Sequence, residues 1–129
     1  MDSVDILYRA LVGAGCDTQV VSDPEDVIDT LAKEKFDLVF LDWNLEGLNG
    51  REAITRASKL RPITEESHTP TPVIIYSSED QIENIDIDHF MVLDHWKKPL
   101  SFFQLAKRIK DISKQLETEQ FVLHGISSA

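Results

Sequence analysis

One stretch constrains the fold more than any other: Asp37–Asp42 contains four consecutive apolar residues, Leu-Val-Phe-Leu, and ends in a carboxylate. A strand with one face in water would alternate apolar and polar residues, and this stretch does not. An apolar run without alternation is typical of a central strand in a parallel sheet that helices cover on both faces. The sequence therefore predicts an α/β architecture with this run inside the sheet.

The rest of the chain alternates between helix and strand patterns. Apolar residues recur every three or four positions in the segments predicted as helices, and short apolar runs mark further strands. Such alternation predicts one domain, residues 1–129, built on a parallel sheet wound on both faces. The predicted helices cover 4–12, 24–31, 51–60, a weaker stretch at 82–90, and 102–116, and the further strands cover 18–21, 72–76 and 95–97.

Charge and composition exclude several classes of protein. The chain has 13 Lys and Arg against 23 Asp and Glu, a net charge of −10, which repels nucleic acid and anionic lipid. No apolar run approaches the roughly 20 residues that span a bilayer, and the first residues lack a signal-peptide pattern. A single cysteine, Cys16, cannot form an internal disulfide. We therefore expect a cytoplasmic protein with neither nucleic acid nor membrane as a partner.

Chemically distinctive residues stand at the ends of the predicted strands. Asp42 ends the first buried run, Ser77 and Ser78 follow the second, and Lys97 and Lys98 follow the last. Because the carboxyl ends of parallel strands meet at one edge of the sheet, we expect a carboxylate, hydroxyls and ammonium groups to converge there.

These residues carry a resemblance to a known family. Residues 41–50, Leu-Asp-Trp-Asn-Leu-Glu-Gly-Leu-Asn-Gly, resemble the stretch around the phosphoacceptor aspartate in receiver domains of bacterial two-component response regulators. Pro72–Ser78 stands in the place of the strand that ends in the family's switch Ser or Thr, and Lys98-Pro99 in the place of its Lys-Pro. The resemblance covers about residues 2–116 and implies a flavodoxin-like, doubly wound parallel sheet of five strands.

The family also implies a role for each matching residue. Asp42 would be the phosphoacceptor, Ser77 the switch hydroxyl, and Lys98 the cation that pairs with the phosphoryl group. A Mg²⁺ ion would be held by Asp42 and the backbone carbonyl of Asn44. This metal site is expected to be weak, because the family's first strand ends in two adjacent acids and the sequence begins just after their place.

The absent first strand belongs at the centre of the family's sheet, and an empty slot there would expose two apolar neighbours. The one unassigned apolar run is 120–126, after the last helix. We expect it to fill the slot, which would make the chain a circularly permuted receiver with its usual helices and strands in 1–116. The alternative is an unstructured tail, with the slot filled by exchange between chains.

The resemblance implies a phosphoacceptor domain rather than an enzyme, with at most self-catalysed phosphoryl transfer. Its donor would be a histidine kinase or a phosphotransfer protein, and its signal would pass to a downstream protein or a second copy of the chain. A pseudo-receiver that binds partners without phosphorylation is the alternative, and the sequence leaves both open.

The family docks partners on the face formed by the stretch after the switch residue, here after Ser78, together with the last strand and the last helix. Here that face would place Trp96, Phe102 or Phe103 beside a basic cluster, a combination that partner surfaces favour. The basic residues are Lys107, Arg108, Lys110 and Lys114. Trp96 is either a second switch element or a fixed aromatic beneath this face. The alternative for the lysines is an ordinary solvated helix face.

Two other classes fit poorly. An aspartyl-nucleophile phosphatase needs a second acid two residues after its aspartate, and Asn44 occupies that place. A dinucleotide-binding unit needs a glycine-rich turn after its first strand, and the sequence has none.

Overall fold

The computed structural model describes residues 3–43, 49–61, 70–80, 82, 87–118 and 126–128. Helices and strands alternate through most of this part of the chain. They are α1 (Ser3–Gly13), β1 (Thr18–Val20), α2 (Pro24–Lys33), β2 (Leu38–Asp42), α3 (Gly50–Leu60), β3 (Thr71–Ser77), β4 (Phe90–Lys97), α4 (Phe102–Thr118) and β5 (Ile126–Ser128). None of these helices is long and apolar enough to cross a membrane.

The strands form one sheet in the order β1-β5-β2-β3-β4, and every neighbouring pair is parallel. The predicted α/β fold with a parallel sheet is therefore confirmed. Residues 38–41 of β2 and all of β3 are buried, as expected for strands that helices cover on both faces.

Side chains of the central strands alternate between two apolar clusters. On one face, Phe40 of β2 packs with α1 and α4 through residues such as Leu11 and Leu105. On the other, Leu41 packs with α2 and α3 through residues such as Leu31 and Ile54. Helices therefore pack on both faces of the central strands, and Asp42 lies at the carboxyl-terminal end of β2.

Two helices begin at polar side chains that satisfy backbone N–H groups. The carboxylate of Asp23 accepts hydrogen bonds from the N–H groups of Glu25 and Asp26 at the start of α2, where Pro24 occupies the first turn. The side chain of Asn49 accepts from the N–H of Glu52 at 2.8 Å. Asn49 is the N-cap of α3, so it marks the end of the segment that connects β2 to α3.

The slot between β1 and β2 holds β5. Ile126 pairs with Thr18 on one side and Leu38 on the other, and Ser128 pairs with Val20 and Phe40. The strand was predicted over 120–126, and the structure shows strand at Ile126–Ser128, so it continues past the predicted end, while 120–125 lie outside the described residues. Ser127 and Ser128 are polar, so hydrophobic patterning could not place the end of the strand beyond Ile126.

The end of the segment before β4 differs from prediction. The sequence favoured a weak helix over 82–90, but Ile87 forms an isolated bridge with Phe90, and Phe90 begins a strand of eight residues that pairs with β3 with one register shift, while 83–86 lie outside the described residues. The N–H of Thr71 donates to the carbonyl of His89 at 2.8 Å, and the guanidinium of Arg61 lies 5.3 Å from the ring centroid of Phe90. Sheet pairing and burial of Phe90 outweigh the weak helical spacing.

Candidate phosphoacceptor site

Asp42 and Lys98 form an ion pair at the carboxyl-terminal edge of the sheet. Nζ of Lys98 lies 2.8 Å from Oδ1 of Asp42, and the two side chains are only 17% and 16% exposed. This is a charge-assisted hydrogen bond, and partial burial makes it stronger than an ordinary surface pair. The predicted convergence of a carboxylate and an ammonium group is observed.

Backbone hydrogen bonds fix the two ends of this pair. The N–H of Trp43 donates to the carbonyl of Tyr76 at 3.0 Å, which ties the residue after Asp42 to β3. The N–H of Lys98 donates to the carbonyl of Ser77 at 2.7 Å, which ties the end of β4 to the same strand. Because β3 lies between β2 and β4, it sets the distance between carboxylate and ammonium.

Ser77 is the last residue of β3 and is fully buried. Its Oγ accepts a hydrogen bond from the N–H of Glu79 at 2.9 Å, so the hydroxyl holds the first turn of the following segment. Ser78 beside it is exposed. The two serines that the sequence placed together therefore differ in burial, and Ser77 is the buried one.

Beyond this buried pair, the same edge carries an exposed one. Lys97 pairs with Asp80, and the hydrogen bond from Lys97 lowers the pKa of the Asp80 carboxyl. Both side chains are more than half exposed, so this pair contributes little to stability. Two adjacent lysines therefore play different parts: Lys97 pairs at the surface, and Lys98 reaches inward to Asp42.

Tyr76 is a part of this site that the sequence analysis did not single out. Its ring centroid lies 5.1 Å from Nζ of Lys98, and its hydroxyl accepts a long hydrogen bond of 3.4 Å from the N–H of Leu100. Burial raises the pKa of the Tyr76 hydroxyl, and the charge of Asp42 raises it further, against the opposing effect of the Leu100 N–H. The one available signal was a tyrosine in an otherwise aliphatic strand.

The described residues do not make up a complete metal site. No group of three or more His, Cys, Asp or Glu side chains lies together among them in a way that could hold a metal ion. The near oxygen of Asp42 already accepts from Lys98, and Asn44, the other predicted ligand, lies outside the described residues. Mg²⁺ takes near-octahedral oxygen ligation, and among the described residues Asp42 is the one predicted side-chain ligand for it.

Of the predicted partner-face residues, Trp96 is buried and only 3% exposed. Its Nε1–H donates to the carboxylate of Asp94 at 3.0 Å, and its ring centroid lies 5.2 Å from that of Phe40 and 5.6 Å from the guanidinium carbon of Arg108. Trp96 is therefore not itself a contact surface. A strand residue that faces a covering helix is buried, and here that helix is α4.

Lys107 and Lys110 are exposed on α4, as are the aromatic side chains at its start. Phe103 is 82% exposed and Phe102 is 44% exposed, and the two rings meet edge to face. Phe102 and Lys110 also line a surface groove between α1 and α4. Of the aromatic residues predicted for this face, Phe102 and Phe103 are therefore exposed on the same helix as the lysines, whereas Trp96 is buried.

Comparison with known proteins identifies the family. A family model described as the response regulator receiver domain matches residues 2–110. The sensory/regulatory protein RpfC of Xanthomonas campestris pv. campestris is 31% identical over 74 residues, which are 57% of this chain and 10% of RpfC. The chain therefore spans about a tenth of the length of the curated relatives that it matches.

Solved receiver domains share the fold. The receiver domain of a sensor histidine kinase from Pseudomonas aeruginosa PAO1, with a magnesium ion coordinated in its active-site cleft, superimposes with a TM-score of 0.61 at 17% identity, over 84% of this chain and 86% of that one. A Francisella response regulator receiver domain gives a TM-score of 0.58 at 25% identity, with 88% and 92% covered. The N-terminal domain of a response regulator protein from Carboxydothermus hydrogenoformans gives 0.62 at 15% identity, with 92% and 90% covered.

Proposed function

Because the chain belongs to the response regulator receiver domain family of two-component signal transduction, we propose that Asp42 accepts a phosphoryl group and that the domain signals by binding a protein partner. The observation that carries this proposal is the ion pair between Asp42 and Lys98 at the carboxyl-terminal edge of the sheet, 2.8 Å long and about five-sixths buried. A carboxylate can act as the nucleophile in acyl phosphate formation, and a cation held beside it can stabilise the charge on the transferred group.

The proposed reaction is a displacement at phosphorus. A carboxylate oxygen of Asp42 attacks the phosphorus atom of a phosphohistidine, so that a new O–P bond forms and the P–N bond breaks. The imidazole leaves with the electron pair and takes up a proton. The Lys98 ammonium group, already at hydrogen-bond distance from Asp42, neutralises negative charge on the oxygens in the transition state.

Ser77 would respond to the bound phosphoryl group. Its Oγ now accepts from the N–H of Glu79, and its hydroxyl hydrogen can be donated to a phosphoryl oxygen. Turning the hydroxyl toward Asp42 would release the Glu79 N–H and the turn that it holds. This is the proposed route by which phosphorylation changes the surface that a partner reads.

The donor is proposed to be a histidine kinase or a phosphotransfer protein, and the receiver of the signal a downstream protein or a second copy of the chain. In this reading the domain is a phosphoacceptor and not an enzyme. Mg²⁺ would bind weakly, because Asp42 is the one predicted side-chain ligand among the described residues, and no step above depends on the ion.

A second candidate function is a pseudo-receiver that binds partners without phosphorylation. Two observations favour it: Lys98 already neutralises Asp42, and the described residues contain no cluster of side chains fit for a metal ion. In this reading the Asp42–Lys98 pair is a structural link between β2 and β4, and the site performs no transfer.

One experiment separates the two functions. The full chain is incubated with acetyl phosphate or phosphoramidate, with and without millimolar Mg²⁺, and its intact mass is measured. The phosphoacceptor proposal predicts the addition of one phosphoryl group, which Asp42→Asn prevents and the surface control Asp111→Asn does not. Failure of the parent chain to gain mass under every condition would leave the pseudo-receiver function.

A further inference from the structure

Tyr76 is linked to the backbone beside Asp42 and to the side chain of Lys98. Its carbonyl accepts from the N–H of Trp43, next to Asp42, and its ring lies beneath the ammonium group of Lys98 at 5.1 Å. Its hydroxyl accepts from the N–H of Leu100, two residues beyond Lys98. The side chain is only 3% exposed, so these contacts are made by a group with little freedom to move.

The Tyr76 ring can restrict the movement of the flexible Lys98 side chain. A lysine ammonium group sits on a flexible four-carbon stem, and holding it in one place costs side-chain entropy. An aromatic face within about 6 Å of the cation attracts it through the ring quadrupole. The Tyr76 ring meets this distance, and its burial fixes the direction from which Lys98 is attracted.

We propose that Tyr76 is a positioning residue that holds the Lys98 ammonium group against Asp42. The ring does this through its contact with the cation, and the hydroxyl holds the backbone that follows Lys98. The consequence for rate rests on the proposed phosphoacceptor function, whereas the consequence for the Asp42–Lys98 pair does not.

The first test measures the rate of phosphorylation by acetyl phosphate. Tyr76→Leu removes the ring and should slow the reaction roughly three- to tenfold, the range that a cation–π contact of this kind supports. Tyr76→Phe keeps the ring and should recover at least half of the parent rate. The matched control is Tyr8→Leu, which removes a tyrosine that is 41% exposed on α1 and should change the rate less than twofold.

A general loss of structure would also slow the reaction, so the same substitution is repeated in a chain that lacks the Lys98 ammonium group. In a Lys98→Met background, Tyr76→Leu should have no further effect on the rate, because the group that it positions is gone. Equal slowing in both backgrounds would mean that Tyr76 acts only through packing, and would overturn the proposal. If Tyr76→Leu does not fold, fluorinated phenylalanines at position 76 keep the ring shape while weakening its face, and the rate should fall as fluorine is added.

A second measurement does not depend on phosphorylation. The coupling between Asp42→Asn and Lys98→Met in urea unfolding reports the strength of the ion pair, and it should fall by at least half when Tyr76→Leu, or the most fluorinated ring, is introduced. If the parent chain is never phosphorylated but this coupling falls, the proposed function fails and the positioning role stands. If the chain is phosphorylated but removal of the Tyr76 ring changes neither the phosphorylation rate nor the coupling between Asp42 and Lys98, the positioning role fails and the proposed function stands.

Discussion

The backbone of Gly50 packs directly against the indole ring of Trp43, and a Cβ atom added at Gly50 would lie only 2.7 Å from Cε3 of that ring. The same atom would lie 3.0 Å from the carbonyl oxygen of Asp42. The N–H of Gly50 donates to the carbonyl of Trp43 at 3.0 Å, which closes the segment between β2 and α3. Glycine is therefore needed at position 50, eight residues after Asp42, because a side chain there would prevent the close approach of the backbone to Trp43.

Gly50→Ala is expected to destabilise the domain by about 1–3 kcal/mol, because the buried ring and the backbone beside Asp42 must shift to admit the methyl group. Gly13→Ala is the matched control: Gly13 also lies in a helix, and its added Cβ would meet nothing within 4 Å. The control should be neutral or up to about 1 kcal/mol stabilising. Urea unfolding followed by circular dichroism measures both, and equal stability of the two variants would contradict the steric argument.

Cys16 is buried at the end of α1, and burial raises the pKa of its thiol. In the folded chain the thiol should react with iodoacetamide at pH 8 much more slowly than in the chain unfolded by urea, as followed by mass spectrometry. Because the folded pKa is raised, the stability that this group contributes is fully present below about pH 8.5 and is lost as the pH rises through the folded value. Cys16→Ala should lack this part of the alkaline loss. Equal alkylation rates in folded and unfolded chains would show that the thiol is accessible.

The sequence predicted the residues of the site better than the contacts between them. Asp42 and Lys98 could be placed at one edge because each follows a strand of a parallel sheet, and the structure brings them to 2.8 Å. The contact between Tyr76 and Lys98 could not be predicted, because the sequence does not show which cation lies over the ring of a tyrosine in a buried strand. Phe90 was misassigned because pairing with β3, a long-range interaction, overrode its local helical spacing.

The basic residues of α4 provide a test of the partner surface. Lys107→Glu together with Lys110→Glu should weaken self-association in light scattering, or binding to a phosphotransfer partner in pull-down, because both lysines are exposed beside Phe102 and Phe103. The free energy of unfolding should stay within about 0.5 kcal/mol of the parent, since exposed charges contribute little. Lys59→Glu, an exposed lysine on α3 across the sheet, is the control and should leave binding unchanged. Unchanged binding in the double variant would show that the interaction surface does not include Lys107 and Lys110.

The strand β5 provides the last prediction. Because Ile126–Ser128 pairs with both β1 and β2, removing residues 119–129 should leave two ladders unpaired in the middle of the sheet and abolish cooperative unfolding in urea. Ile126→Pro makes the same test within the full chain, since proline lacks the N–H that an interior strand donates and is tolerated only at sheet edges or bulges. Ile126→Val keeps the backbone donor and the β-branched shape, and should unfold within about 1.5 kcal/mol of the parent. If the truncated chain retains the parent's unfolding midpoint, then β5 contributes nothing to the sheet, and the circular permutation proposed from the empty slot is wrong.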